Sequence, residues 1–253
     1  MPLDEDTLRA AHPNRALVHL TNNDALVWDV QDVKLLRTQH NIIGLMTGTL
    51  PLAPQQNVLL GLPMQLIPEE VTYLLRVRAV VLIDHSAWER EGLTPAGSSS
   101  ERHIQTALPG SIWVFPETPS EKARCAVFDD LHARGYFLGT GLRFGGEFVV
   151  YPGDPLRYHS HFSTSVLTSS NQGGMSGLDF VASGRLGTAV KKAHLICAVD
   201  TDLCEEGERV ATAAGGQEEG ESGDKFEEGG LLEGRTTWGR VRYYSLTWSG
   251  FGT

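Results

Sequence analysis

The chain has 253 residues, 41% of them apolar, a length that suits two modest domains and a composition ordinary for a soluble globular protein. It has no run of eighteen apolar residues to cross a membrane, its start Met1-Pro-Leu-Asp-Glu-Asp6 is acidic where a secretory leader would be basic, and its three cysteines (Cys125, Cys197, Cys204) are odd in number and lack paired metal spacing. The expectation is therefore an intracellular, reducing compartment without a membrane partner, a disulfide framework or a zinc site. The net charge of −10 is weak evidence against nucleic acid because it is unevenly placed: residues 201–234 hold eleven Asp/Glu against two Lys/Arg, whereas 135–192 are net +2 and 235–253 add Arg235, Arg240 and Arg242 with no acid.

The first 85 residues read as a small α/β unit. Ala16-Leu-Val-His-Leu20 and Ala25-Leu-Val-Trp-Asp29 flank Thr21-Asn-Asn-Asp24, whose short polar residues suit a hairpin turn. Val30 to His40 has helical spacing, and Pro51 to Gln56 with Gly61-Leu-Pro63 read as an irregular connection. Pro68-Glu-Glu70 suits the first turn of a second helix, and Ala79 to Asp84 reads as a buried strand. No chemistry is evident in this half. Residues 86–118 are rich in Gly, Ser and Pro and read as a linker, with Ile112-Trp-Val-Phe115 as a packing anchor.

A catalytic-sized unit, 119–253, follows. Thr118-Pro-Ser-Glu121 opens a helix that Gly135 ends, and Tyr136 to Tyr151 is rich in strand-forming residues with interspersed glycines. Within it, Gly141-Leu-Arg-Phe-Gly-Gly146 lacks the Lys-Ser/Thr ending of a phosphate loop and reads as a turn in a sheet. His159 to Leu167 reads as a strand, Leu178 to Lys191 as a helix, and His194–Asp200 and Val241–Trp248 as strands. The acidic, glycine-rich insertion 201–234 between the last two reads as a solvated loop.

The chemistry concentrates in Tyr151 to His161. Pro152-Gly-Asp-Pro155 can turn the chain so that the Tyr151 phenol and the His159 imidazole share one mouth. Metal-free RNA cleavage uses the RNA's own 2′-hydroxyl as nucleophile, so it needs a base for that proton, an acid for the departing 5′-oxygen and a cation for the charge on phosphorus. Lys191 or Lys192 could supply the cation. His159 and His161 could instead be a metal pair on one strand face, but no second pair stands at a matching spacing.

The combination of Tyr136-Phe-Leu, Gly141-Leu-Arg-Phe-Gly-Gly-Glu-Phe-Val-Val-Tyr-Pro-Gly-Asp-Pro-Leu-Arg-Tyr-His-Ser-His161, Gly184-Arg-Leu-Gly-Thr-Ala-Val-Lys-Lys192 and Tyr244-Ser-Leu-Thr-Trp248 closely resembles the tRNA-splicing endonuclease family, and within it the catalytic subunit that cuts the 3′ splice site. Ala25-Leu-Val-Trp28, Pro54-Gln-Gln-Asn57, Gly61-Leu-Pro63 and Ile67-Pro-Glu-Glu70 are similar to that subunit's N-terminal domain. The resemblance implies a small N-terminal α/β domain and a C-terminal tRNA-intron endonuclease domain, a mixed sheet with flanking helices. It implies Tyr151 as general base, His159 as general acid and Lys192 as transition-state stabiliser, with no cofactor and no metal, leaving a 2′,3′-cyclic phosphate and a 5′-hydroxyl. Arg185 and Trp248 match the family's arginine and aromatic residue that grip a flipped bulge nucleotide, by cation–π stacking on a base. It further implies precursor tRNA as substrate, a nuclear location, and a heterotetramer with a second catalytic and two structural subunits. The alternative of a structural, RNA-binding subunit that does not cut gives no reason to carry all three groups. The linker is shorter, and the acidic insertion longer, than is common in relatives.

An unperturbed tyrosine, with a pKa near 10, holds only about one molecule in a thousand as tyrosinate at pH 7. A nearby lysine cation is expected to favour the anion.

Overall fold

A computed structural model describes residues 5–48, 61–85, 104–168, 174–201 and 232–247, and its contacts divide the chain into two units, Met1–Phe115 and Pro116–Thr253. Both are mixed α/β, and among the described residues each contains one six-stranded sheet.

The first unit runs α1 (Glu5–Ala11), β1 (Ala16–Thr21), β2 (Asp24–Val27), α2 (Val30–Gln39), β3 (Leu45–Gly48), β4 (Gly61–Leu66), α3 (Pro68–Arg76), β5 (Val80–Asp84) and β6 (Ile104–Gln105), with sheet order β3-β4-β2-β1-β5-β6. The β1–β2 hairpin turns at Asn22 and Asn23, whose φ angles of 50° and 69° are the left-handed values that a two-residue hairpin of matching twist requires and that asparagine tolerates. β1 and β5 pair in parallel inside the sheet, where Ala16, Leu17, Val18 and Val80 to Leu82 are all buried, the uninterrupted apolar signature of strands covered on both faces. Asp29 caps α2 by accepting from Gln31 N at 2.6 Å. At the start of α3 the buried Glu70 carboxylate accepts from Ile67 N at 2.9 Å and from Gly44 N at 3.1 Å, and burial pushes its pKa up to about 7.

Three features of this unit differ from the sequence reading. Gly61-Leu-Pro63, read as irregular, begins β4. Proline has no N–H for a ladder, and the β3–β4 register accordingly shifts between Met46 and Gly48, the kind of irregularity where a sheet admits it. The helix α1 and the short strand β3 carry too few apolar residues to announce themselves. Of the segment read as a linker, 86–103 lies outside the described residues, whereas Ile104 to Phe115 is part of the first unit. There β6 pairs with β5, the Gln105 side-chain oxygen accepts from Ile112 N (3.0 Å) and Trp113 N (2.8 Å), and the buried Trp113 indole donates to Thr72 Oγ1 at 2.9 Å. The anchor read at Ile112–Phe115 is thus fixed by polar as well as apolar contacts.

The second unit runs α4 (Pro119–Ala133), β7 (Phe137–Thr140), a 3₁₀ turn (Leu142–Phe144), β8 (Phe148–Tyr151), β9 (Phe162–Thr168), α5 (Gly177–Ala189), β10 (Ala193–Asp200), β11 (Leu232–Thr236) and β12 (Gly239–Leu246), with order β11-β12-β10-β9-β8-β7. A capping box starts α4: Thr118 Oγ1 accepts from Glu121 N (3.2 Å) while the Glu121 carboxylate accepts from Thr118 N (2.9 Å). The helix then buries Cys125 to His132 against the sheet, with Phe128 tilted onto Phe148 at 6.2 Å. Tyr243 of β12 donates to Asp130 Oδ2 of α4 at 2.7 Å, and Arg134 holds the same carboxylate at 2.9 Å. Cys125 and Cys197 are buried and not joined in a disulfide, and burial pushes the Cys197 thiol well above its usual range, which suits a packing role.

The Gly141–Gly146 segment is a turn between β7 and β8, as read. The acidic insertion lies outside the described residues over 202–231, as does Cys204; its end, Leu232–Gly234, belongs to β11 rather than to a loop. The strand read from His159 begins only at Phe162.

Candidate active site

Parallel strands need a crossover connection, and α5 supplies one between β9 and β10. Both strands therefore start at one end of the sheet, with Ala193 opposite Phe162, and β8, antiparallel to β9, finishes at that end with Val150 opposite Phe162. Tyr151 closes β8, His159-Ser160-His161 leads into β9 and Lys192 leads into β10. Topology thus gathers three segments spread over more than forty residues of sequence. Two backbone bonds seal the junction: His161 N donates to Val150 O (2.9 Å) and Ala193 N to His161 O (3.1 Å).

The turn between Tyr151 and His159 is stiffened from within. Asp154 accepts from Leu156 N through its side chain (2.8 Å) and from Arg157 N (2.8 Å) and Tyr158 N (3.0 Å) through its carbonyl. Glycine at 153 lets the Tyr158 ring fold back, since a β-carbon there would stand 2.8 Å from it. At the other side, α5 ends with Lys191 N donating to Thr188 O and Lys192 N to Gly187 O (2.8 Å), with Lys191 in the left-handed region at φ 54°. This helix-ending pattern turns the chain sharply into β10, and it is built at a position where glycine is the usual residue.

The result is an open cleft of about 550 Å³ lined by Phe144, Tyr151, Tyr158, His159, Ser160 and Lys192, with Pro155, Val190 and Lys191 completing its wall. Tyr151 and Lys192 are half-buried and His159 is exposed. The Lys192 ammonium donates to Ser160 O at 3.4 Å and lies 4.9 Å from the centre of the Phe144 ring, a cation–π contact. Lys191 is exposed. Burial holds the Tyr151 phenol above its ordinary pKa, and a hydrogen bond with the Ser160 side chain pulls the other way. The acidifying influence expected from a lysine cation comes instead from Ser160.

Tyr151, His159 and Lys192 are therefore brought together. His161 is exposed, packs edge-on to Phe162 at 6.2 Å and is not among the cleft residues; because β9 starts after it, the same-face argument for a His159–His161 pair does not apply. Among the described residues no three His, Cys, Asp or Glu side chains are grouped to hold a metal. Arg185 is exposed on α5, outside the cleft lining, and Trp248 lies outside the described residues.

Sequence reasoning missed Ser160 and Phe144, whose residue types carry no chemical signature. It also missed His194, read only as part of a strand. His194 is buried on β10 with Nδ1 2.9 Å from Ser163 Oγ and Nε2 2.9 Å from Ser165 Oγ, both on β9, and burial lowers its pKa. The imidazole so clamps together the two strands that carry the site.

Residues 16–85 match the family model of the TSEN34-like N-terminal domain, and residues 122–204 match that of the tRNA intron endonuclease catalytic C-terminal domain. The "Probable tRNA-splicing endonuclease subunit sen34" of Schizosaccharomyces pombe is 28% identical over 90% of this chain and 95% of its own length. The tRNA-splicing endonuclease subunit Sen34 of Homo sapiens is 25% identical over 74% of this chain and 95% of its own. The tRNA-splicing endonuclease of Methanopyrus kandleri is 33% identical over 32% of this chain and 45% of its own.

Proposed function

Since the chain belongs to the tRNA-splicing endonuclease family, we propose that it cuts precursor tRNA at the 3′ splice site, with Tyr151, His159 and Lys192 as its catalytic groups. The observation that carries this reading is the convergence of those three side chains on one open cleft.

Each group suits one requirement of the reaction. Tyr151, at the cleft wall, takes the 2′-hydroxyl proton as the attack on phosphorus begins. Burial keeps the resting phenol neutral, so its deprotonation is coupled to the reaction and is eased by the Ser160 hydrogen bond. His159, exposed at the mouth, protonates the departing 5′-oxygen. Lys192, its ammonium held between a carbonyl and an aromatic face, is already oriented when charge builds on the phosphoryl oxygens. The 2′-oxygen bonds to phosphorus as the bond from phosphorus to the 5′-oxygen breaks, so the products are a 2′,3′-cyclic phosphate and a 5′-hydroxyl, and no step calls for a metal.

Arg185 and Trp248 serve to grip a bulge nucleotide by stacking. The working assembly is a nuclear heterotetramer with a second catalytic subunit and two structural subunits. Replacing His159 with Ala in the reconstituted complex tests the reading: 3′-site cleavage is expected to fall by roughly 10² to 10⁴, and a normal rate removes the general acid assigned here. Cleavage by the unmodified complex is expected to survive a chelator; its loss favours a metal at His159 and His161 instead.

A further inference from the structure

The Gly141–Gly146 segment, whose sequence reads only as a turn in a sheet, puts an aromatic ring into the cleft. Within its 3₁₀ turn Leu142 is 85% exposed and Arg143 is exposed, while Phe144 is half-buried and lines the site. The backbone around the ring is anchored. Phe144 N donates to Gly141 O at 2.7 Å, Gly141 N to Glu147 O at 2.9 Å, and Glu147 N to Thr164 O of β9 at 2.8 Å. Gly146 passes so close to β9 that a β-carbon there would strike the Thr164 carbonyl oxygen. Gly145, in the left-handed region at φ 69°, lies where a β-carbon would stand 2.5 Å from Leu186 Cδ2 of α5. The ring is thus held against β9, which follows His159, and against α5, whose end leads to Lys192.

The Lys192 ammonium has two contacts among the described residues, Ser160 O at 3.4 Å and the Phe144 ring, 4.9 Å from its centre. The first is at the long limit of a hydrogen bond, whereas the second is well inside the reach of about 6 Å for a cation–π contact, so the ring is the stronger restraint. We propose that Phe144 is a positioning residue for the cleavage reaction, its ring face holding the Lys192 ammonium in the cleft before substrate arrives. The inference rests on the role given to Lys192. A lysine ends in a flexible four-carbon stem, and an unheld ammonium spreads over many rotamers. A carboxylate could fix it but would also offset the charge that the phosphoryl oxygens need. An aromatic face fixes it and leaves the charge intact, so the cation acts on rate without reorganising during the reaction. Phe144 touches no reacting atom; its effect passes through Lys192.

The test is single-turnover cleavage at the 3′ site by the reconstituted complex, with RNA saturating, for Phe144→Leu, Phe144→Tyr, Lys192→Met and the pair Phe144→Leu with Lys192→Met. Cleavage at the 5′ site and the RNA dissociation constant are read in parallel as controls for assembly and binding. Leucine keeps an apolar side chain at the position and removes the ring face, which separates packing from the cation–π contact. Phe144→Leu is expected to slow 3′ cleavage about fivefold, while RNA binding and 5′ cleavage stay within about twofold. Phe144→Tyr, which restores an aromatic face, is expected to recover most of the rate that leucine loses. In the Lys192→Met background leucine is expected to cost nothing further, because the ammonium that the ring served is already gone. If Phe144→Leu leaves the rate unchanged while Lys192→Met slows it severely, if leucine slows both backgrounds equally, or if Phe144→Tyr is as slow as leucine, the positioning role is overturned and the assignment of Lys192 stands. A fall in 5′ cleavage or RNA binding as large as the fall in 3′ cleavage overturns it as well and leaves Phe144 a packing role. If Lys192→Met itself cuts normally, the assignment falls and this inference with it.

Discussion

In the first unit three buried polar side chains turn onto the unit's own backbone. Glu70 caps Ile67 and Gly44, Asp32 accepts from Leu17 N at 3.2 Å while paired with Arg9, and Gln105 holds Ile112 and Trp113. In the second unit one end of the sheet does the opposite, leaving Tyr151, His159 and Lys192 facing a cleft, with Ser160 beneath them. The same interactions yield architecture where such groups are answered from inside and chemistry where some are left to face a ligand. The contrast gives a rule that can be broken: substitutions in the first set should cost stability and spare the reaction, and those in the second should cost rate and spare the fold.

The largest expected effect is on the cleft side. Lys192→Ala should slow 3′-site cleavage by roughly 10² to 10³, as for loss of one oriented charge stabiliser, while thermal unfolding of the complex changes little. Gly187→Ala comes next, with an expected loss on the order of 10²-fold. A β-carbon at 187 would stand 2.7 Å from the Lys192 carbonyl oxygen, and a backbone atom cannot step aside without carrying the lysine with it. Single-turnover kinetics with an RNA-binding control separate this displacement from simple unfolding.

On the architectural side, Glu70→Ala leaves two backbone N–H groups unanswered and is expected to destabilise the first unit by about 2–3 kcal/mol, read by denaturant unfolding, with 3′ cleavage unchanged below the melting range. The same residue fixes a pH dependence. Burial raises its folded pKa to about 7 from an ordinary 4.5, so the folded state holds the proton more tightly. Its contribution to stability is therefore complete below about pH 4.5 and is lost as pH rises through 7. Glu70→Gln should flatten that part of the stability profile. The smallest effect belongs to Lys191→Gly. Glycine suits φ 54° better than lysine, so stability should rise by about 1 kcal/mol and 3′ cleavage should stay within about twofold; a severe loss of cleavage would move the catalytic lysine to 191.

Much of the scaffold was legible. The Asn22-Asn23 hairpin, Pro68 opening α3, the Thr118–Glu121 capping box and the buried strands β5 and β10 follow from local chemistry that a sequence carries on its face. The elements that escaped have signals that tertiary context overrides: Pro63 inside β4 is tolerated because the register shifts around it, and Ile104 joins the first sheet from a stretch whose composition reads as a linker. For the site, residue types and the resemblance pointed to Tyr151, His159 and Lys192. Their meeting depends on a parallel β9–β10 pair and an antiparallel β8, which no local pattern states. Ser160 was invisible for a different reason, since a serine's role is set wholly by what lies beside it. The choice of Lys192 over Lys191 follows the family motif and agrees with a backbone that turns at 191 and directs the next side chain over Phe144.

The most direct test of the central claim is end-group analysis of precursor tRNA cut by the reconstituted complex, with the two splice sites scored separately for the unmodified chain and for Tyr151→Phe. The account predicts a 2′,3′-cyclic phosphate on the intron's 3′ end and a 5′-hydroxyl on the 3′ exon, with that cut lost in the variant while the 5′ cut persists. A 3′ cut that survives Tyr151→Phe at the normal rate, or one that leaves a 5′-phosphate, would contradict it.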